Sequence, residues 1–149
     1  MATPLLPPDF KEFLRLLNEN SVEYLLIGGY AVGYYGYVRA TADMDIWIAS
    51  NVTNASRVVS ALREFGFNAP ELSDELFLKP GNIARLGVPP FRIEMLTSIS
   101  GVTFEECYME KVSDMIDGVR VPIISLSHLK TNKKASGRLK DLADLEHLP

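Results

Sequence analysis

The chain has 149 residues, 47% of them hydrophobic and 23% charged, which is the balance of a folded globular protein and excludes a disordered one. That length predicts one domain over residues 1–149, enough chain to bury a core and too little for two ordinary domains. A net charge of −4 argues against whole-surface attraction for nucleic acid while leaving room for a local basic patch, and the single cysteine, Cys107, excludes an internal disulfide and a cysteine-held zinc. A reducing, cytoplasmic setting follows from that cysteine usage. The N-terminal MATPLLPPDF is neither basic nor long and apolar, and no segment reaches the length of a bilayer, so neither export nor a membrane partner is expected.

Prolines 4, 7 and 8 end an irregular leader, and Pro8 with Asp9 opens a helix whose Phe10, Phe13, Leu14 and Leu17 share one apolar face. Asn18, Asn20 and Ser21 stop it. Residues 23–27 read as a short buried strand closed by Gly28-Gly29, and residues 30–37 as a helix or tight helical turn weakened by Gly33 and Gly36. Arg39, Ala40 and Thr41 lead into a strand over 43–49 that ends at Ser50-Asn51. Asn51 or Thr53 caps the next helix, in which Val58, Val59, Leu62 and Phe65 recur at helical spacing before Gly66. Residues 68–80 carry two prolines and a helix start at Ser73, which predicts a short helix or a loop. Residues 83–88 and 91–96 read as neighbouring strands turning at Pro89-Pro90. A short helix over 104–110 and a hairpin turning at Asp117-Gly118 follow. Residues 126–148 read as helix divided at Gly137, with Lys130, Lys133 and Lys134 on one side.

The chemistry concentrates in residues 25–48. Side chains at i and i+2 of a strand share a face, so Asp43 and Asp45 point together. Two close carboxylates repel, and they need a cation or a proton held at a raised pKa; an oxygen-only cluster suits Mg²⁺. Gly28-Gly29, directly after a strand, lets backbone N–H groups approach a phosphate. Glu94 sits mid-strand, an expensive place for a carboxylate without a partner, and on an adjacent strand it would complete a divalent-metal site as ligand or general base. Each feature has an ordinary reading beside this one. Asp-x-Asp is a common pair of solvated acids, a glycine pair is usually a turn, Glu94 has pairing with Arg92 or Arg39 as the competing reading, and the lysines make a solvated helix face. His128 reads as structural and Cys107 as a small buried hydrophobe. Tyr30, Tyr34, Tyr35, Tyr37 and Trp47 read as core, with one of them able to stack a base. With only two histidines, His128 and His147, a metal-dependent phosphoesterase is the weaker enzyme class.

Gly28-Gly29-Tyr30-Ala31, then Arg39-Ala40-Thr41, then Asp43-x-Asp45 resembles the signature of the DNA polymerase β-like nucleotidyltransferase superfamily. Within it the chain is most similar to the small MNT and AbiEii-like proteins, many of them members of bacterial toxin-antitoxin systems. The likeness extends to Leu126-x-x-Leu129-Lys130 and to Lys133-Lys134-Ala135-x-x-Arg138-x-Lys140-Asp141. It implies an α/β (α+β) fold with a mixed β-sheet flanked by helices and C-terminal helices after the sheet. It also implies Mg²⁺-dependent transfer of a nucleoside monophosphate from an NTP such as ATP to a hydroxyl on a protein, an RNA end or a small molecule, with a cognate toxin or antitoxin as a further partner. By that pattern Asp43, Asp45 and Glu94 are the catalytic and metal-binding acids. Gly28, Gly29, Arg39, Thr41, Lys130, Lys133, Lys134 and Arg138 form the nucleotide-binding set. Many family members carry aspartate in the third place, so Glu94 sets its carboxylate about one methylene further out. A fold-retaining binding module with little chemistry is the alternative to an active enzyme.

Overall fold

A computed structural model describes residues 6–41, 43–88 and 91–149 of the chain. Pro4 of the expected leader and the expected Pro89-Pro90 turn lie outside the described residues. Helix α1 (Pro8–Glu19) starts with proline where its fixed φ suits the first turn and its missing N–H costs nothing. It buries Phe10, Phe13, Leu14, Leu16 and Leu17 at helical spacing, and Phe13 meets Phe65 edge-on at 5.2 Å. Strand β1 (Tyr24–Ile27) is buried along its whole length. Helix α2 (Gly28–Tyr34) begins at Gly28 itself, so the glycine pair that closes β1 also opens the helix, two residues earlier than the expected start at Tyr30.

Strand β2 (Asp43–Ile48) leads into α3 (Val52–Glu64), where the Asn51 side chain accepts from the Asn54 N–H at 2.9 Å and caps the helix. Asn54 is buried and fully used. Its amide donates to the carbonyls of Glu23 and Ala49 at 3.0 and 2.8 Å and its oxygen accepts from the Glu23 N–H at 2.7 Å. Three bonds of about 1 kcal/mol each thereby tie α3 to the ends of β1 and β2. A 3₁₀ turn over Asp74–Phe77 precedes β3 (Ile83–Leu86) and β4 (Arg92–Leu96). Then come α4 (Phe104–Met109), a hairpin of β5 (Val112–Ile116) and β6 (Val119–Ile123), and helices α5 (Leu126–Ser136) and α6 (Leu139–His147) on either side of Gly137.

The sheet is mixed and six-stranded, in the order β3-β4-β2-β1-β6-β5. β1 pairs antiparallel with β2 and parallel with β6, and β2 pairs parallel with β4, which needs the long crossover that α3 and β3 supply. Alternation divides β2 and β4 between two faces: Met44, Ile46, Ile93 and Met95 are buried in the core, while Asp43, Asp45, Arg92 and Glu94 share the other side. Glu94 therefore does not interrupt an apolar strand; it belongs to a polar row. Trp47, buried against Phe104 at 5.2 Å, leaves its indole N–H without a partner among the described residues. Cys107 is buried, and the tyrosines at 30, 34, 35 and 37 are only partly so, packing at the core's margin. Among the described residues no helix is long and apolar enough to cross a membrane.

Candidate functional site

Parallel pairing sets Asp45 directly opposite Glu94 and Asp43 opposite Arg92, and antiparallel pairing sets Arg85 opposite Glu94. Opposed residues in a sheet project to the same face, so one row across three strands reads Arg85, Glu94, Asp45. Carboxylate oxygens of Asp43, Asp45 and Glu94 all lie within 4.8 Å of one another. They face a cavity of 550 Å³ bounded on the sheet side by Gly28, Gly29 and Arg85, and on the helix side by Asn132, Lys133, Ser136, Arg138, Lys140 and Asp141.

The three acids are not equivalent. Arg92 grips Asp43 through two parallel bonds, Nε to Oδ1 at 3.1 Å and Nη2 to Oδ2 at 2.9 Å, and this guanidinium holds Asp43 below its ordinary pKa. Glu94 lies 3.2 Å from Nη2 of Arg92 and 3.2 Å from Nε of Arg85. Asp45 has neither guanidinium. Its Oδ1 is buried with no hydrogen-bond partner among the described residues, and burial, followed by the charges of Glu94 and Asp43, pushes its pKa up to about 6.

Gly28 is what lets Asp45 sit there. Its φ is +66°, and a Cβ at this position would lie 2.3 Å from Oδ2 of Asp45. Gly29 is equally crowded, since a Cβ would come within 2.8 Å of the Thr41 hydroxyl oxygen. Thr41 donates to the Asp43 carbonyl at 3.1 Å, so it braces the approach to β2 beneath the glycines and is not part of the cavity wall.

The five cations of the expected nucleotide-binding set sort into three groups. Arg39 and Lys133 line the cavity but are committed elsewhere. Arg39 makes two bonds to Asp144 at 2.8 and 2.9 Å, which removes it as a partner for Glu94. Lys133, far from forming a solvated face with its neighbours, is buried, with Nζ 2.8 Å from Asp141 and 3.0 Å from Asp144. Burial opposes ionisation of Asp141, yet bonds from Lys133, Ser136 and Arg138 outweigh it and hold the carboxyl down to about 2; Arg39 and Lys133 likewise hold Asp144 low against its burial. Arg138 lies at the cavity mouth, bonded to Asp141 at 2.9 Å and mostly exposed. Lys130 and Lys134 do not line the cavity: Lys130 donates to the carbonyl of Pro149, and Lys134 is exposed. His128 is also outside it, with Nδ1 3.1 Å from the Ser125 hydroxyl and Nε2 3.3 Å from Glu110.

Two cavity residues escape a reading of spacing alone. Arg85 reaches Glu94 only through the β3–β4 register. Lys140 lines the cavity with no carboxylate partner among the described residues. The signal for Lys140 was its place in the first turn of α6, where the helix dipole disfavours a cation and an anionic neighbour is needed to offset it.

Oxygen-only donors, a buried unpartnered oxygen and a glycine floor together form a site that a hard cation and a phosphate both fit. Among solved structures, TM1012 of Thermotoga maritima, described as a "putative nucleotidyltransferase", shares this fold, with a TM-score of 0.64 over 93% of this chain and 88% of that one at 14% identity. No curated protein sequence matches the chain. The sequence profile of the family described as "Nucleotidyl transferase of unknown function (DUF2204)" matches residues 8–148, and the chain belongs to that family.

Proposed function

We propose that the chain is an NTP-using nucleotidyltransferase that moves a nucleoside monophosphate onto a hydroxyl acceptor and releases pyrophosphate. The observation that carries this reading is the trio Asp43, Asp45 and Glu94, within 4.8 Å of one another on a cavity wall, with one buried oxygen that has no partner among the described residues. These three residues are the proposed Mg²⁺ ligands, and Mg²⁺ bound there supplies charge neutralisation for a triphosphate and acidifies an acceptor hydroxyl. Glu94, on the strand beside Asp45, serves as ligand or as the base that takes the acceptor proton on a carboxylate oxygen. Gly28 and Gly29 leave the floor bare, so phosphate oxygens can approach backbone N–H groups. Arg138 and Lys140 offer positive charge at the wall facing the acids, whereas Lys133 and Arg39 act as fixed charges held by Asp141 and Asp144.

The acceptor belongs to one of three classes, a protein side chain, an RNA end or a small molecule. Kinship with the small MNT and AbiEii-like proteins, and a cognate toxin or antitoxin as partner, rests on the motif residues 28–31, 39–41, 43, 45 and 126–141. Incubation with labelled NTPs and Mg²⁺ tests the activity: label transfer or pyrophosphate release is expected from the wild type and not from Asp43→Asn. Equal signal from both would remove the reading. One observation favours the binding-module alternative, namely that Arg92 already occupies both oxygens of Asp43. Calorimetry separates the two, since a pure binding module takes up neither divalent cation nor NTP.

A further inference from the structure

Two arginines enter the carboxylate trio, and the proposed reaction leaves them without a task. Arg92 makes the parallel pair of bonds to Asp43 at 3.1 and 2.9 Å and extends the same Nη2 to within 3.2 Å of Glu94. Arg85 makes one contact, 3.2 Å to Glu94, and its side chain is 53% exposed against 31% for Arg92. Three acids and two guanidiniums leave the cluster almost neutral as it stands. A divalent cation added among those acids would share them with Arg92, and like charges that share ligands repel. Asp45, with its unpartnered oxygen, is the acid left open.

We propose that Arg92 is a built-in competitor for the metal site: it holds Asp43 and Glu94 when no cation is present and thereby keeps cation affinity low until a triphosphate brings compensating negative charge. The inference rests on the nucleotidyltransferase reading, because it needs cation and triphosphate to share this cavity. Cation and nucleotide then bind with positive coupling, and each raises the affinity of the other by the same factor. Arg85, with one exposed contact, contributes little to the effect.

Titration with Mn²⁺, followed by the electron paramagnetic resonance signal of the free ion, tests this without any turnover. In the absence of nucleotide, Arg92→Gln is expected to bind Mn²⁺ about tenfold more tightly than the wild type, and Arg85→Gln within about twofold of it. A non-hydrolysable NTP analogue should tighten Mn²⁺ binding in the wild type and do so much less in Arg92→Gln. An Arg92→Gln affinity equal to or weaker than wild type overturns the proposal, because Arg92 would then orient Asp43 for the cation instead of competing with it. If Arg92→Gln fails to fold, Arg92→Lys keeps the charge but loses the parallel bonds; a smaller gain is expected, and no gain overturns the proposal in the same way. Absence of Mn²⁺ binding in the wild type and in Arg92→Gln, with and without the analogue, removes the metal-site reading itself. Wild-type binding with an unimproved variant removes this inference alone.

Discussion

Two groups of acids in and behind the cavity wall meet burial in opposite ways. Asp141 and Asp144, on α6, are almost wholly enclosed, yet Lys133, Arg39, Ser136 and Arg138 surround them and keep them ionised. Asp45, on β2, is enclosed beside two other acids and has an oxygen with no partner among the described residues, so its proton is held up to about 6. The same residue type is thus satisfied by the protein at one wall and left wanting at the other. A satisfied cluster fixes α5 against α6 and the loop before β2; an unsatisfied one is where a ligand has something to add.

That contrast can be broken most forcefully at Lys133. Lys133→Leu leaves Asp141 and Asp144 buried without their shared cation, and a loss of about 3–5 kcal/mol is expected, read as a lowered urea midpoint. At the other wall, Gly28→Ala combines a left-handed backbone with a 2.3 Å approach to Asp45; a loss of about 3 kcal/mol in the same assay and failure to bind Mn²⁺ are expected.

Acid pH separates the groups by sign. A carboxyl held down to about 2 in the fold contributes stability that is complete above its unfolded value near 4 and disappears as pH falls toward 2, so Asp141 should cost the wild type about 1–2 kcal/mol over that interval. Asp45 runs the other way. Its raised pKa means the native fold binds the proton more tightly than the unfolded chain, so its contribution is complete below about 4 and lost as pH rises through 6. Asp45→Asn should therefore stabilise the metal-free protein by about 1–2 kcal/mol at pH 8 and by almost nothing at pH 4, measured by denaturant melts at both values. The smallest effect belongs to the outer lysine. Lys134→Ala should stay within about 0.5 kcal/mol of wild type and leave triphosphate binding unchanged, whereas Lys140→Ala should weaken that binding with the melt unmoved.

The satisfied wall was much harder to read from sequence than the unsatisfied one. Asp43 and Asp45 share a face by the period of two, and Glu94 was conspicuous as an acid inside a short strand. Local pattern sufficed there, as it did for α1 and for the break at Gly137, and it narrowed the cap of α3 to Asn51 or Thr53, of which Asn51 does the capping. Helical spacing places Lys130, Lys133 and Lys134 on one side, but only Lys133 turns inward, and spacing does not say which of them will. That depends on Asp141 and Asp144, which lie on α6 beyond a break in the chain. The pairing of Arg39 with Asp144 spans 105 residues, and Arg85 meets Glu94 only once the strand register is fixed. Asn54 is similar: its helical position is plain, while its bonds to Glu23 and Ala49 exist only after two strands have docked.

Trp47, the single tryptophan of the chain, follows Asp45 by two residues on the same strand and rests edge-on against Phe104. Optically the protein therefore has one indole emitter, buried away from solvent two positions from the candidate metal ligand. A change in its fluorescence on adding cation or nucleotide would report movement of β2 itself, with no label attached and no second tryptophan to subtract.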